Sequence, residues 1–264
     1  MIGVSAAFFI SRYGSHFTID NILDGMNWLG KNNFGSLQLE IFHYEQLGEW
    51  TFPNCMRMKE AFKKENFRVS QFVAHFLMNS FESFESLINN SGIDELEFLS
   101  VILNHFSITD TITIPVPPFS GDVNDREILH FFDLKLKKIE QIGKKYNLKI
   151  ALEPQPDSLA ADLSYLNRFS FIHLNLDPGH LLCSGINPFN LDLEILSRVV
   201  ATHLCENDGV ENLSLKPGSF SYNWSSLIRN LIGAGYSNSL DLEIICPPDH
   251  VEREYTEGNI FLNN

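Results

Sequence analysis

The chain has 264 residues, 19 basic and 33 acidic, giving a formal net charge of −14; 44% are apolar and 20% charged. That composition belongs to a folded globular chain, one large α/β domain or two small ones, and excludes a disordered or fibrous one. The deficit of Lys and Arg argues against holding nucleic acid by phosphate neutralisation or docking on an anionic membrane.

No apolar run reaches the roughly 18 residues that span a bilayer. The apolar opening Ile2–Ile10 has no basic flank and no small-residue cleavage site after it, so it reads as a first strand and not as a signal peptide. Cys55, Cys183, Cys205 and Cys246 form no CxxC pair, which points to free thiols in a reducing cytoplasm.

From there the chain alternates strand-length apolar runs with helix-period stretches. The predicted strands are Ile2–Phe8, Leu37–Phe42, Val69–Phe76, Ile108–Ile114, Leu148–Glu153, Phe171–Asp177, Val199–Leu204 and Leu240–Ile245. The clearest helical patterns run from Ile93 to Phe106 and from about Asn124 to Tyr146, where Ile128, Phe132, Leu136, Ile139 and Ile142 recur at i+3/i+4 spacing. Asn147 ends the second of these. Eight steps in 264 residues is about 33 per step, the size of one βα unit. No Ser/Gly linker divides the chain. The expected architecture is a single (β/α)8 TIM barrel covering residues 1–264; a doubly wound sheet is disfavoured because no GxGxxG follows the first strand.

Side-chain parity then locates a candidate site. If Leu148, Ile150 and Leu152 face the helices, Lys149, Ala151 and Glu153 face inward. The same alternation puts His173, Asn175 and Asp177 inside on the sixth strand, Ala201 and His203 on the seventh, and Asp241 and Glu243 on the eighth. Four successive strands thus carry Glu153, Asp177, His203 and Glu243 near their C-terminal ends, where barrel active sites form. Three carboxylates there repel one another unless something positive lies between them, and a divalent cation is the simplest answer. One imidazole with three carboxylates suits Mn²⁺, Mg²⁺ or Co²⁺, with Zn²⁺ also compatible. Four protein ligands leave positions for two neighbouring oxygens of an α-hydroxy carbonyl, whose adjacent carbon the ion would acidify. Glu153 and Glu243, approaching from different strands, would be the catalytic pair, one removing the proton and the other returning it.

The segment Leu174-Asn175-Leu176-Asp177-Pro178-Gly179-His180 resembles the sixth-strand signature of the xylose-isomerase-like barrel superfamily. Ala151-Leu152-Glu153-Pro154 is similar to its fifth-strand motif, His203 with Asn207-Asp208-Gly209 and Pro217-Gly218 to its seventh, and Leu242-Glu243 to its eighth. The resemblance implies one divalent metal held by Glu153, Asp177, His203 and Glu243, proton transfer by the two glutamates, and His180 on the substrate oxygen. The implied activity is a metal-dependent sugar or polyol-ketone isomerase or epimerase working through an enediolate. Dehydratases, a binding barrel without turnover and apurinic endonucleases are the alternatives within the same fold.

Some positions depart from these branches. Pro115-Val116-Pro117-Pro118 and Asn212-Leu213-Ser214 stand where the endonuclease branch needs further histidines, and no Arg follows His203 in Leu204–Asp208 as the epimerase branch tends to have. The turn reads Pro217-Gly218-Ser219-Phe220 where a second Gly is usual.

Glu40, inward with Gln38, and His75 are further candidates for substrate binding, with a pair between Glu40 and Lys149 as the alternative for Glu40. His43 and Trp50 in the second βα loop could line or cover a sugar, packing of loop aromatics on the barrel rim being the commoner alternative. The expected partner is a small sugar or polyol, without nucleic acid or membrane, in a cytoplasmic protein compatible with a homodimer.

Overall fold

A computed structural model describes residues 1–263. Its eight strands are β1 (Ile2–Val4), β2 (Ser36–Glu40), β3 (Arg68–Val73), β4 (Thr111–Val116), β5 (Lys149–Pro154), β6 (Ile172–Leu176), β7 (Val199–Thr202) and β8 (Leu240–Leu242). They form one sheet in the order β7-β6-β5-β4-β3-β2-β1-β8, with parallel pairing throughout. The seam between β7 and β8 closes through a Leu204–Leu242 bridge: Leu204 N–H donates to Asp241 at 2.7 Å and Glu243 N–H donates to Leu204 at 3.1 Å. Helices fill the connections, so the sheet is a nearly closed (β/α)8 barrel.

Every predicted strand exists, and most are shorter than their apolar runs. The first is the most changed: Ala7 and Phe8 belong to a helix, Ala7–Tyr13, that starts directly after β1. An apolar run cannot by itself separate a buried strand from the buried helix that follows it. The helix expected at 93–106 is Ile93–Phe106. The longest helix is Arg126–Tyr146, capped by Asp125, whose carboxylate accepts N–H groups of Glu127 and Ile128, and ended by Asn147 in the left-handed region at φ 53°.

Strand parity is what builds the site. On β5, Ile150 and Leu152 are buried in the apolar layer shared with Leu136 and Ile139 of the long helix, and removing either side chain to Ala costs about 2–5 kcal/mol. Their alternates turn into the barrel. The interior is polar for much of its length, with Ser36, Gln38, Ser70, Gln71, Thr113, Asn175 and Asp241 all buried. On β3 the alternation fails: Ser70 and Gln71 both hydrogen-bond inside the barrel, while Phe72 packs edge-on against Trp50 with ring centroids 4.7 Å apart. A register shift between β2 and β3 at Leu37/Leu39 accounts for this, since an extra residue on one strand breaks period two.

No described helix is long and apolar enough to cross a membrane.

Candidate metal centre and substrate cavity

Glu153 is the last residue but one of β5, Asp177 and His203 directly follow β6 and β7, and Glu243 directly follows β8. One ligand atom from each of these four residues lies within 4.8 Å of the others. Glu153, Asp177 and His203 are buried and Glu243 partly so. His203 Nδ1 sits 2.9 Å from Glu153 Oε1 and 2.8 Å from Glu243 Oε2, so one ring nitrogen is bracketed by carboxylates from strands on either side. Asp177 spends Oδ1 as the N-cap of helix Pro178–Cys183, on the N–H of His180 at 3.0 Å, and leaves Oδ2 buried with no hydrogen-bond partner. His180 Nδ1 is likewise without one, 3.4 Å from Asp177 Oδ2 and 3.6 Å from Glu153 Oε1.

The electrostatics follow from packing these groups together. Burial works against the imidazolium, but Glu153 and Glu243 hold His203 well above its usual value. Burial also works against the Glu153 anion, and the positive His203 outweighs it. The Asp177 carboxyl is pushed up by burial and by the nearby glutamates. While no ion is bound the His203 imidazolium supplies the positive charge, yet Asp177 Oδ2 stays buried without a donor, and a cation taking the place of the His203 Nδ1 proton would satisfy both. A divalent cation fits the site: three carboxylate oxygens and one imidazole nitrogen suit hard or borderline ions.

A cavity of about 230 Å³ opens above the four residues. Glu40, His75 and His180 line it together with Glu153, His203 and Glu243. His75 stacks on Phe42 with centroids 4.0 Å apart and 12° between planes, and burial lowers its basicity. Glu40 is 8% exposed and has no cationic partner among the described residues. Burial first, and Glu243 second, push its carboxyl well above the ordinary range. The Glu40–Lys149 alternative is not realised, because Lys149 lies at the other end of the barrel, 2.9 Å from Asp110.

For the two aromatic residues of the second βα loop, the structure takes the packing alternative and not the sugar-lining one. Trp50 is buried against Phe72, away from the cavity lining, because its indole fills core volume behind β3. His43 also stays out of the lining: it stacks on His16 at 4.0 Å, with Nε2 3.0 Å from Ser15 Oγ.

Phe42, Gln155, Asn212 and Ser214 also line the cavity and were not singled out from sequence as substrate contacts. Phe42 and Gln155 continue the inward parity of Gln38–Glu40 and Ala151–Glu153, a signal that extends past the strand ends. Asn212 and Ser214 arrive on a loop and carry no such signal. The Pro217–Phe220 turn is fixed by Glu206, whose carboxylate accepts the N–H groups of Gly218 at 2.9 Å and Phe220 at 2.6 Å and the indole N–H of Trp224.

Fold and site together describe a (β/α)8 barrel with a candidate metal centre at the C-terminal mouth. No family model and no curated protein matches the sequence. Among solved structures, the chain is similar to the IOLI protein with a bound zinc atom (14% identity, TM-score 0.77, 99% of this chain and 97% of that one). It is similar as well to L-ribulose 3-epimerase (11%, TM-score 0.78, 99% and 93%). The third is 3-keto-D-glucoside 4-epimerase YcjR from E. coli (15%, TM-score 0.72, 99% and 98%). The chain shares the fold of these three proteins over nearly its whole length.

Proposed function

We propose that the protein is a divalent-metal-dependent isomerase or epimerase of an uncharged sugar or polyol ketone. The observation that carries this reading is the placement of Glu153 and Glu243 on either side of one imidazole nitrogen, both lining a cavity sized for a small molecule. The epimerase names and the bound zinc of the similar barrels support it.

Glu153, Asp177, His203 and Glu243 would hold the ion. When bound, the ion polarises a substrate carbonyl and acidifies the carbon beside it. One glutamate takes the proton from that carbon, and the other, coming from β8 where the first comes from β5, delivers a proton on its own side. His180 Nδ1, free of protein partners, meets a substrate oxygen, and Glu40 and His75 take hydroxyl groups further up the cavity.

No Lys or Arg lines the cavity among the described residues, while four carboxyl groups do or lie at its floor. That field suits a neutral substrate better than a phosphorylated one. Incubating the manganese-loaded protein with a panel of ketoses and inososes in deuterated water, and following the products by NMR, tests the reading. Deuterium at the carbon next to the carbonyl, with an isomeric product, is expected. A dehydrated product moves the assignment to a lyase on the same site, and no exchange with any substrate leaves a binding barrel.

A further inference from the structure

Beneath the four candidate ligands lies a second buried cluster that the chemistry above does not use. Gln38 and Asp241 are both fully buried, separated by 203 residues, and bonded to each other at 3.0 Å. From this arrangement we infer that Gln38, held by Asp241, is a positioning residue that selects which ring nitrogen of His203 is free to bind metal. The inference rests on the metal centre proposed above.

The direction of the Gln38 amide is forced by its neighbours. Its nitrogen lies 3.0 Å from the Thr202 carbonyl and 3.0 Å from Asp241 Oδ2, two groups that accept. The amide oxygen must therefore point the other way, to His203 Nε2 at 2.8 Å. An amide oxygen cannot donate, so Nε2 keeps a hydrogen, and Nδ1, which donates toward Glu153 and Glu243 while no ion is bound, is the nitrogen whose proton a cation can displace. Gln71 Nε2, which donates one hydrogen to Asn175 Oδ1 at 3.3 Å, also approaches His203 Nε2, but at 3.3 Å against 2.8 Å for the Gln38 oxygen, so the shorter contact sets the proton on Nε2. The opposite tautomer would place a hydrogen where the cation must sit.

Asp241 is fixed in turn. Ser70 Oγ donates to its Oδ2 at 2.6 Å and Ser36 Oγ to its Oδ1 at 3.3 Å. Glycine at position 3 leaves room for this group: a Cβ there would overlap both Asp241 Oδ1 and Ser36 Oγ. A buried carboxylate with no Lys or Arg partner among the described residues is costly, and burial pushes its pKa up. A barrel interior built around it, with donors from β2 and β3, is consistent with a task for its orientation. That task is to hold the Gln38 amide one way round.

The test is direct. In zinc-loaded protein labelled with ¹⁵N-histidine, long-range proton–nitrogen correlation should show His203 protonated at Nε2 and bare of hydrogen at Nδ1. Asp241→Asn offers an NH₂ group to position 38 and lets the amide turn over, so zinc affinity, read by competition with a chromophoric chelator, should fall about 10- to 100-fold. Gln38→Leu should fall similarly. Native zinc affinity in both single variants, or zinc-loaded native chain with the hydrogen on Nδ1 and Nε2 bare, overturns the positioning role and leaves the metal centre standing. No zinc uptake by the native chain overturns the centre itself. The tautomer is read on the native chain, so a variant that does not fold still leaves the inference decidable.

Discussion

Asp177 and His180 are joined twice across one helix start: Asp177 Oδ1 accepts the His180 backbone N–H at 3.0 Å, and its free Oδ2 stands 3.4 Å from His180 Nδ1. One oxygen folds the helix and the other faces the site. Asp177→Asn keeps the first role, since the amide oxygen still caps, and replaces the second with an NH₂ group that cannot bind a cation. It also removes one of three crowded acidic groups. Manganese uptake by equilibrium dialysis should fall at least tenfold (about 1.4 kcal/mol), while the metal-free variant melts at or above the native temperature. Native protein at a hundredfold excess of metal over Kd should gain about 2.7 kcal/mol of stability, and the variant should gain little. A variant whose melting still responds to manganese like the native chain would remove Asp177 from the ligand set.

Glu153 and Glu243 carry separate halves of the proposed proton transfer, so each should be indispensable. Gln keeps the shape and an oxygen ligand but cannot take a proton. Glu153→Gln and Glu243→Gln should each lower turnover by about 10²–10⁴. The informative measurement is exchange of the substrate proton into deuterated water without net reaction. A glutamate that only removes the proton abolishes exchange, whereas one that only returns it on the other side leaves exchange and blocks product. If both variants turn over at the native rate, the two-glutamate scheme is wrong.

The eight strands and the inward set Glu153, Asp177, His203 and Glu243 were legible because β5 to β8 alternate cleanly between large apolar residues and polar ones. That contrast is the imprint of an apolar helix layer outside and a polar interior within. β3 was not legible. Its bulge turns Ser70 and Gln71 inward together, and a pairing irregularity leaves no mark in composition. Trp50 stayed open between two readings for a related reason: a loop aromatic looks the same in sequence whether it covers a site or fills the core behind a strand. The Gln38–Asp241 contact joins residues 203 apart, and only the closed barrel brings them together. Asn212 and Ser214 reach the cavity on a loop whose path depends on Glu206 anchoring the following turn.

The tightness of the Asp177 corner can be probed without touching a ligand. A Cβ at Gly179 would meet Cys205 Sγ at 2.7 Å, Asn207 Nδ2 at 3.0 Å and Asp177 Oδ1 at 3.1 Å. Asn207 is held by its bond to the Gly179 carbonyl at 2.7 Å, and Cys205 is fully buried, so neither can retreat freely. Gly179→Ala should cost about 1–3 kcal/mol by chemical denaturation. Metal affinity should drop with it, because the displaced group is the oxygen that orients the carboxylate. Loss of stability with unchanged metal affinity would mean the strain is relieved through Cys205 instead.

Lys135 offers a pH prediction remote from the site. It is 2% exposed, donates to the carbonyls of Ser80 at 2.5 Å and Ser86 at 2.8 Å, lies over the Phe81 ring at 5.0 Å, and has no carboxylate partner among the described residues. Burial first, and Lys138 second, press its amine down to about 8 from an ordinary 10.5. A neutral amine still supplies hydrogens for both carbonyls. Between those two values the unfolded chain binds a proton that the folded chain does not, so the folded state gains from rising pH, by at most about 1.4 kcal/mol for each pH unit crossed. Below the folded value both states are protonated and the contribution is flat. Lys135→Met keeps the side-chain length and removes the titration. Urea midpoints of native and variant protein should therefore run parallel in the acid-to-neutral range and diverge in favour of the native chain as pH climbs from about 8 towards 10.5. The loss of two carbonyl partners lowers the variant by a constant amount and does not alter that slope. Curves that stay parallel across the alkaline range would mean that Lys135 keeps its proton in the folded protein.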